Sequence, residues 1–183
     1  MTAPAAEGSL RACNSCTMCC KLVAVSELKK PPQRWCTHCR PGTGCKIYAE
    51  RPQECRGFTC LYLVASGLSE DWQPETAKMV LAVEQDGRRI GVHVDATRPD
   101  AWRREPYYSK LKDLARRSPP PNTVIVYIAP RAYAVLPDSD VDLGIVEPDE
   151  RIIAETLQTP RGPVYAARKV HMSDPLAWRS GGA

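Results

Sequence analysis

Phenylalanine is almost missing from this 183-residue chain, which holds Phe58 alone, and no cysteine follows Cys60. No apolar run approaches the roughly 18 residues of a membrane-spanning helix, which argues against that class. The opening "MTAPAAEGSLRAC" lacks a basic stretch followed by an apolar core, so a secretory signal is not expected. The cytoplasm is then the expected compartment, where thiols stay reduced. There is no G-x-x-x-x-G-K-[ST], no Rossmann glycine fingerprint and no G-x-S-x-G. The chain thus advertises neither a phosphate cradle nor a serine nucleophile.

Proline, in contrast, is abundant: 17 residues, about twice the usual share of roughly 5%. That predicts many turns and short elements rather than a helical bundle. All nine cysteines lie between Cys13 and Cys60, and composition divides the chain accordingly. Residues 1–12 read as a disordered tail, 13–68 as a cysteine module, 69–171 as an α+β domain of unassigned role, and 172–183 as a second tail. The formal charge of +4 counts every thiol as neutral. Eight thiolates on two Zn²⁺ ions, or on two [4Fe–4S]²⁺ clusters, would cancel it. The basic balance is therefore weak evidence for nucleic acid.

The second region alternates strand-like runs with one clear helix. "KMVLAV" and "RIGVHVD" flank "EQDGR", where Asp86-Gly87 is a hairpin signal. "PYYSKLKDLARR" places Tyr107, Leu111 and Leu114 on one helical face and ends against "SPPP". "TVIVYI", "RAYAVL", "VDLGIV" and "VYAARKV" follow as strands. The expected fold is α+β: a small Cys-rich metal-binding module followed by a mainly antiparallel sheet with one clear helix. "TCLYLVASGL" reads as a short apolar helix that packs the module onto the sheet.

"CNSCTMCC" (residues 13–20) puts four cysteines in eight positions. Disulfides fit poorly with an odd cysteine count and a cytoplasmic context. Zinc needs four tetrahedral ligands, and a C-x-x-C knuckle supplies two. Cys36 and Cys39 in "CTHC" form such a knuckle. Gly42 and Gly44 let the chain double back to Cys45, and Cys55 and Cys60 are positioned to close a site. Cys13, Cys16 and Cys19 have instead the C-x-x-C-x-x-C spacing that ferredoxins use for a cubane, without the Cys-Pro that completes it there. Cys20, adjacent to Cys19, diverges from it and serves a second site or remains a free thiol. Zinc and iron–sulfur both stay open.

These residues resemble a known family. "CNSCTMCC", "WCTHC" and "GCKIYAERPQECRGFTC" are similar, in order, to the cysteine-cluster proteins of YkgJ type, bacterial proteins named for a zinc- or iron-chelating CxxCxxCC domain. The resemblance covers residues 13–60, about a quarter of the chain. It implies metal chelation by Cys13, Cys16, Cys19, Cys20, Cys36, Cys39, Cys45, Cys55 and Cys60. It implies no reaction, and nothing beyond residue 69.

Other polar residues have plainer readings. His38 points outward from its knuckle more readily than it ligates, and His93 reads as a surface histidine. Arg40, Lys46, Arg51 and Arg56 surround the later cysteines and stabilise thiolates. "WRREPYYSKLKDLARR" mixes basic and aromatic residues, but its helical spacing fits a core face with solvated charges. Nucleic acid is therefore not the expected partner. Asp138, Asp140 and Asp142 read as an exposed strand edge. The expected protein binds zinc, or iron (alone or as a 4Fe-4S cluster), through the cysteine cluster and serves as a metal-stabilised binding protein. Iron–sulfur electron transfer or support of a redox enzyme is the alternative, and metal storage or delivery a further one. The expected partner is an unidentified protein or redox partner, not a membrane.

Overall fold

A computed structural model of the chain describes residues 11, 13, 15–84, 87–120 and 122–178. The first part is built of fragments. α1 (Met18–Leu22), α2 (Gln53–Gly57), α3 (Leu61–Val64) and α4 (Pro74–Ala77) are four or five residues long, and no side chain caps their N-termini. Isolated helices are marginal in water below about 12–15 residues, so packing must hold these in place. β1 (Cys39–Arg40) and β2 (Gly44–Cys45) form a miniature hairpin with Cys39 opposite Cys45. Gly42 makes the reversal with φ of +72°, a left-handed conformation that suits glycine.

The sheet that follows is built of longer elements. β3 (Met79–Glu84) and β4 (Arg89–Val94) pair antiparallel, as their alternating patterns predict. Residues 85 and 86 of their turn, including Asp86, lie outside the described residues, and Gly87 has φ of +88°. α5 (Tyr107–Arg117) then carries the chain across, so that β5 (Thr123–Ile128) lies parallel to β4. β6 (Arg131–Val135) and β7 (Asp140–Ile145) complete the order β3-β4-β5-β6-β7. Three of its four pairings are antiparallel. β8 (Glu150–Thr159) and β9 (Gly162–His171) form a separate long hairpin. The fold is α+β, with a mainly antiparallel sheet and one helix longer than two turns among the described residues.

The sheet's period of two sorts its side chains onto two faces. Met79, Leu81, Val92, Val94, Val124 and Val126 face α5, where Leu111 and Ala115 meet the fully buried Trp102. Tyr107 and Leu111 are buried and Leu114 partly so, as the helical spacing predicts. The opposite face is covered twice. The β8–β9 hairpin lays Ile152 over Ile125, Ala132 and Ala134, while Met18 and Leu22 of α1 cover Val80.

The junction between the two regions is continuous. Tyr62 and Leu68 pack into the sheet's main core, and the Cys60 backbone pairs with Ala82 at the β3 edge. This is the place anticipated for the apolar stretch 59–68, although its helix is a single turn. β8 was not anticipated. Its run "ERIIAETLQT" interleaves charges with apolar residues, and only pairing with β9 makes it a strand. Two stretches read as tail include anchored residues. Arg11 donates to the carbonyls of Tyr62 (3.0 Å) and Leu68 (2.6 Å). Residues 172–178 turn back so that the Trp178 indole donates to the Met172 carbonyl (2.7 Å) and Arg151 stacks on its ring. The rest of both tails, residues 1–10, 12 and 179–183, lies outside the described residues. No helix among the described residues is long and apolar enough to cross a membrane.

Candidate metal centre

The cysteine turns form from local backbone bonds. Cys16 N–H donates to the Cys13 carbonyl (2.8 Å) and Cys39 N–H to the Cys36 carbonyl (3.0 Å), which makes each C-x-x-C a knuckle. Cys36 N–H reaches the Cys20 carbonyl (3.0 Å) and ties the two knuckles together. Thr17, itself buried, accepts from Gly42 N–H (3.1 Å) and hydrogen-bonds Cys39. Pro52 precedes α2, which presents Cys55. The loop 25–30 and α2 hold each other reciprocally: Glu54 accepts from Ser26 and Glu27 N–H, and Glu27 from Glu54 N–H (2.8 Å).

These contacts bring Cys13, Cys16, Cys19, Cys20, Cys36, Cys45, Cys55 and Cys60 to the wall of one cavity of about 370 Å³. Both halves of the cysteine pattern, read from spacing as separate sites, therefore open on a shared space. Cys39 is the exception: it is buried beneath the wall. All nine cysteines are free. His38, Arg51 and Arg56 also line the cavity, with Val23, Leu28, Phe58 and Leu63 as its apolar wall. Arg51 lies over the Tyr48 ring at 4.0 Å, and Arg56 donates to the Arg51 carbonyl (2.8 Å). Arg40 and Lys46 are exposed and do not line the cavity.

The thiols hold their protons unequally. Cys13 and Cys16 share a hydrogen bond, which lowers Cys13 to about 7 and raises Cys16 far above the usual thiol range. The bond to Cys19, then burial, raises Cys20. Burial, then the neighbouring Cys20, pushes Cys39 up to about 12. Burial raises Cys55 and Cys60 as well. Most of these groups are thus neutral until something displaces their protons, which a thiophilic metal does.

In donor chemistry the set suits zinc or iron: several thiolates, a nearby imidazole and a largely apolar surround. Closure is a separate matter. Among the described residues no group of three or more His, Cys, Asp or Glu side chains is set so that it could hold a metal ion as it stands. The thiols face a common space, and metal binding would require them to draw together. Searches of protein-family models, curated proteins and solved structures find no match for this chain.

Several residues here escaped the sequence reading. Lys30 lines the cavity and is 8% exposed, yet "LKKPPQ" reads as a solvated lysine pair. Thr17 looks like filler between cysteines. His93 is not a surface residue: it stacks on Tyr127 (5.1 Å between centroids) and meets Glu84 at 3.0 Å. Glu84 reaches it by folding back over Gly91, where a Cβ would stand 2.3 Å from its carboxylate. Alternation placed His93 on the correct face, but the covering of that face by α1 and the β8–β9 hairpin left no local signal. The acids of "PDSDVDL" are partnered rather than bare: Asp140 takes Tyr108 and Lys112, and Asp142 takes Arg131.

Proposed function

We propose that this chain is a cysteine-ligated metal protein, with zinc its first metal, whose centre stabilises the N-terminal region for binding a partner. The observation that carries the reading is the convergence of eight cysteines from three separate segments on one cavity. The chain brings together far more thiols than a hydrophobic wall needs, and in reduced form they have no other evident use. The YkgJ-type resemblance supports the same reading and rests on the motif residues alone. Zinc would be held by four thiolates per ion and would supply structural cross-linking rather than redox chemistry.

A second reading, an iron–sulfur centre in electron transfer, is favoured by one specific feature: the cysteines share a cavity rather than dividing between two closed tetrahedral sites. A cluster held there would supply one-electron chemistry. Anaerobic purification followed by elemental analysis and an absorption spectrum on the same sample tests both. A colourless chain with about one or two zinc ions supports the first reading. Iron with inorganic sulfide and broad visible absorption supports the second. A chain free of metal that takes up neither Zn²⁺ nor iron overturns both.

A further inference from the structure

Lys30 is an anomaly in its surroundings. The Val25–Lys30 backbone bridge closes a tight loop at its base, with Lys29 in a left-handed conformation (φ 49°). The Lys30 side chain is thereby directed inward. Its ammonium donates to the carbonyls of Lys21 (3.3 Å), Val23 and Pro31 (3.1 Å) and lines the cysteine cavity. The other buried lysine, Lys112, pairs with Asp140 (3.3 Å). Of the half-buried ones, Lys21 pairs with Asp95 (2.6 Å) and Lys169 with Glu150 (2.9 Å), whereas Lys110 has no carboxylate among the described residues. Lys30 has none among the described residues. A sheltered charge without a counter-charge is costly: burial holds this ammonium below the ordinary lysine range, and Cys19, Cys20, Cys36 and Cys55 line the same cavity.

We infer that Lys30 is the built-in counter-cation of the cysteine centre, its ammonium offsetting the negative charge that the thiolates carry once they close on a metal. This rests on the metal reading above. Without a metal to gather thiolates, no anionic partner is fixed beside Lys30. Four thiolates on Zn²⁺ would leave a net charge of −2, and a fixed cation on the same cavity wall would stabilise that state. Lys30 thus acts in opposite senses on the two forms of the protein. It is a burden in the metal-free chain and a support in the loaded one. A residue with a merely structural role would affect both forms alike.

The test compares the full chain with Lys30→Gln and Lys30→Arg, metal-free and with Zn²⁺, by thermal melting and chelator competition. It is repeated with the metal the chain is isolated with. Expected for Lys30→Gln is a loss of Zn²⁺ affinity of about tenfold or more and a lowered melting temperature of the loaded form. The metal-free form should melt no lower than native, and Lys30→Arg should stay near native affinity. If Lys30→Gln lowers both forms equally, or leaves metal affinity unchanged, the counter-cation role is overturned while the metal reading stands. If the native chain itself takes up no metal, the metal reading falls and the inference with it.

Discussion

The two regions of this molecule solve the problem of stability differently. The sheet buries long alternating strands on both faces around Trp102, Leu111 and Ile125, which are fully shielded from solvent. Among the described residues the cysteine region has no helix longer than five residues, and its strands are two residues long. Its buried apolar side chains Met18, Leu22, Tyr62 and Leu68 belong to clusters shared with the sheet. One region carries its own core, and the other leans on it and keeps its remaining side chains for thiol chemistry. On the metal reading proposed above, such a region would acquire its full rigidity with its ligand, because binding energy there would be folding energy.

That contrast can be broken experimentally. Trp102→Ala should cost about 3–5 kcal/mol and unfold both regions together, since the cysteine region stands on that core. Calorimetry that finds the cysteine region intact after the sheet has melted would end the picture of dependence. Cys16→Ser should act in the opposite sense. We expect loss of one metal equivalent and faster amide exchange within residues 13–60, with β3 to β6 as protected as before; unchanged metal content would remove Cys16 from the centre.

A smaller effect is expected at the joint. Lys21 of α1 pairs with Asp95, just past β4. Burial alone would raise the Asp95 carboxyl, but the bonds from Lys21 and Thr97 outweigh it and hold it below the ordinary range. Because the folded pKa is depressed, this contribution is present above the unfolded value of about 3.9. It is lost as pH falls through the folded value. Asp95→Asn should cost about 2 kcal/mol at neutral pH and flatten that acid limb in a pH series of urea melts. Least disruptive is Gly91→Ala. The added Cβ displaces only the end of the flexible Glu84 side chain, so we expect a loss of about 1 kcal/mol or less. Its signature is a move of the His93 imidazole proton resonances by NMR; unmoved resonances would mean that the Glu84 contact does not set the histidine's environment.

Legibility differed between the regions for a physical reason. β3 to β7 and α5 announce themselves because period-two and period-3.6 patterns follow directly from burying one face of a strand or helix. β8 does not, because almost none of its side chains is fully buried and its exposed end keeps polar residues on both sides. In the cysteine region the residue types and their knuckle spacing were plain, since C-x-x-C turns are local. Nothing local, however, distinguishes Cys39, which is buried beneath the cavity wall, from Cys36, which faces the cavity.

By itself, then, the sequence determined the α+β class, the position of the long helix, most of the strands and the identity of the thiol-bearing segment. All of these depend on neighbours a few residues away. Only the tertiary structure decided that the two halves of the cysteine pattern share one cavity, that Cys60 is pinned to the β3 edge, and that Lys30 faces thiols without a carboxylate. Those facts depend on which distant segments meet. Contacts of that kind are set by how a chain of short, proline-broken pieces folds back on a sheet, and no periodicity in the sequence records them.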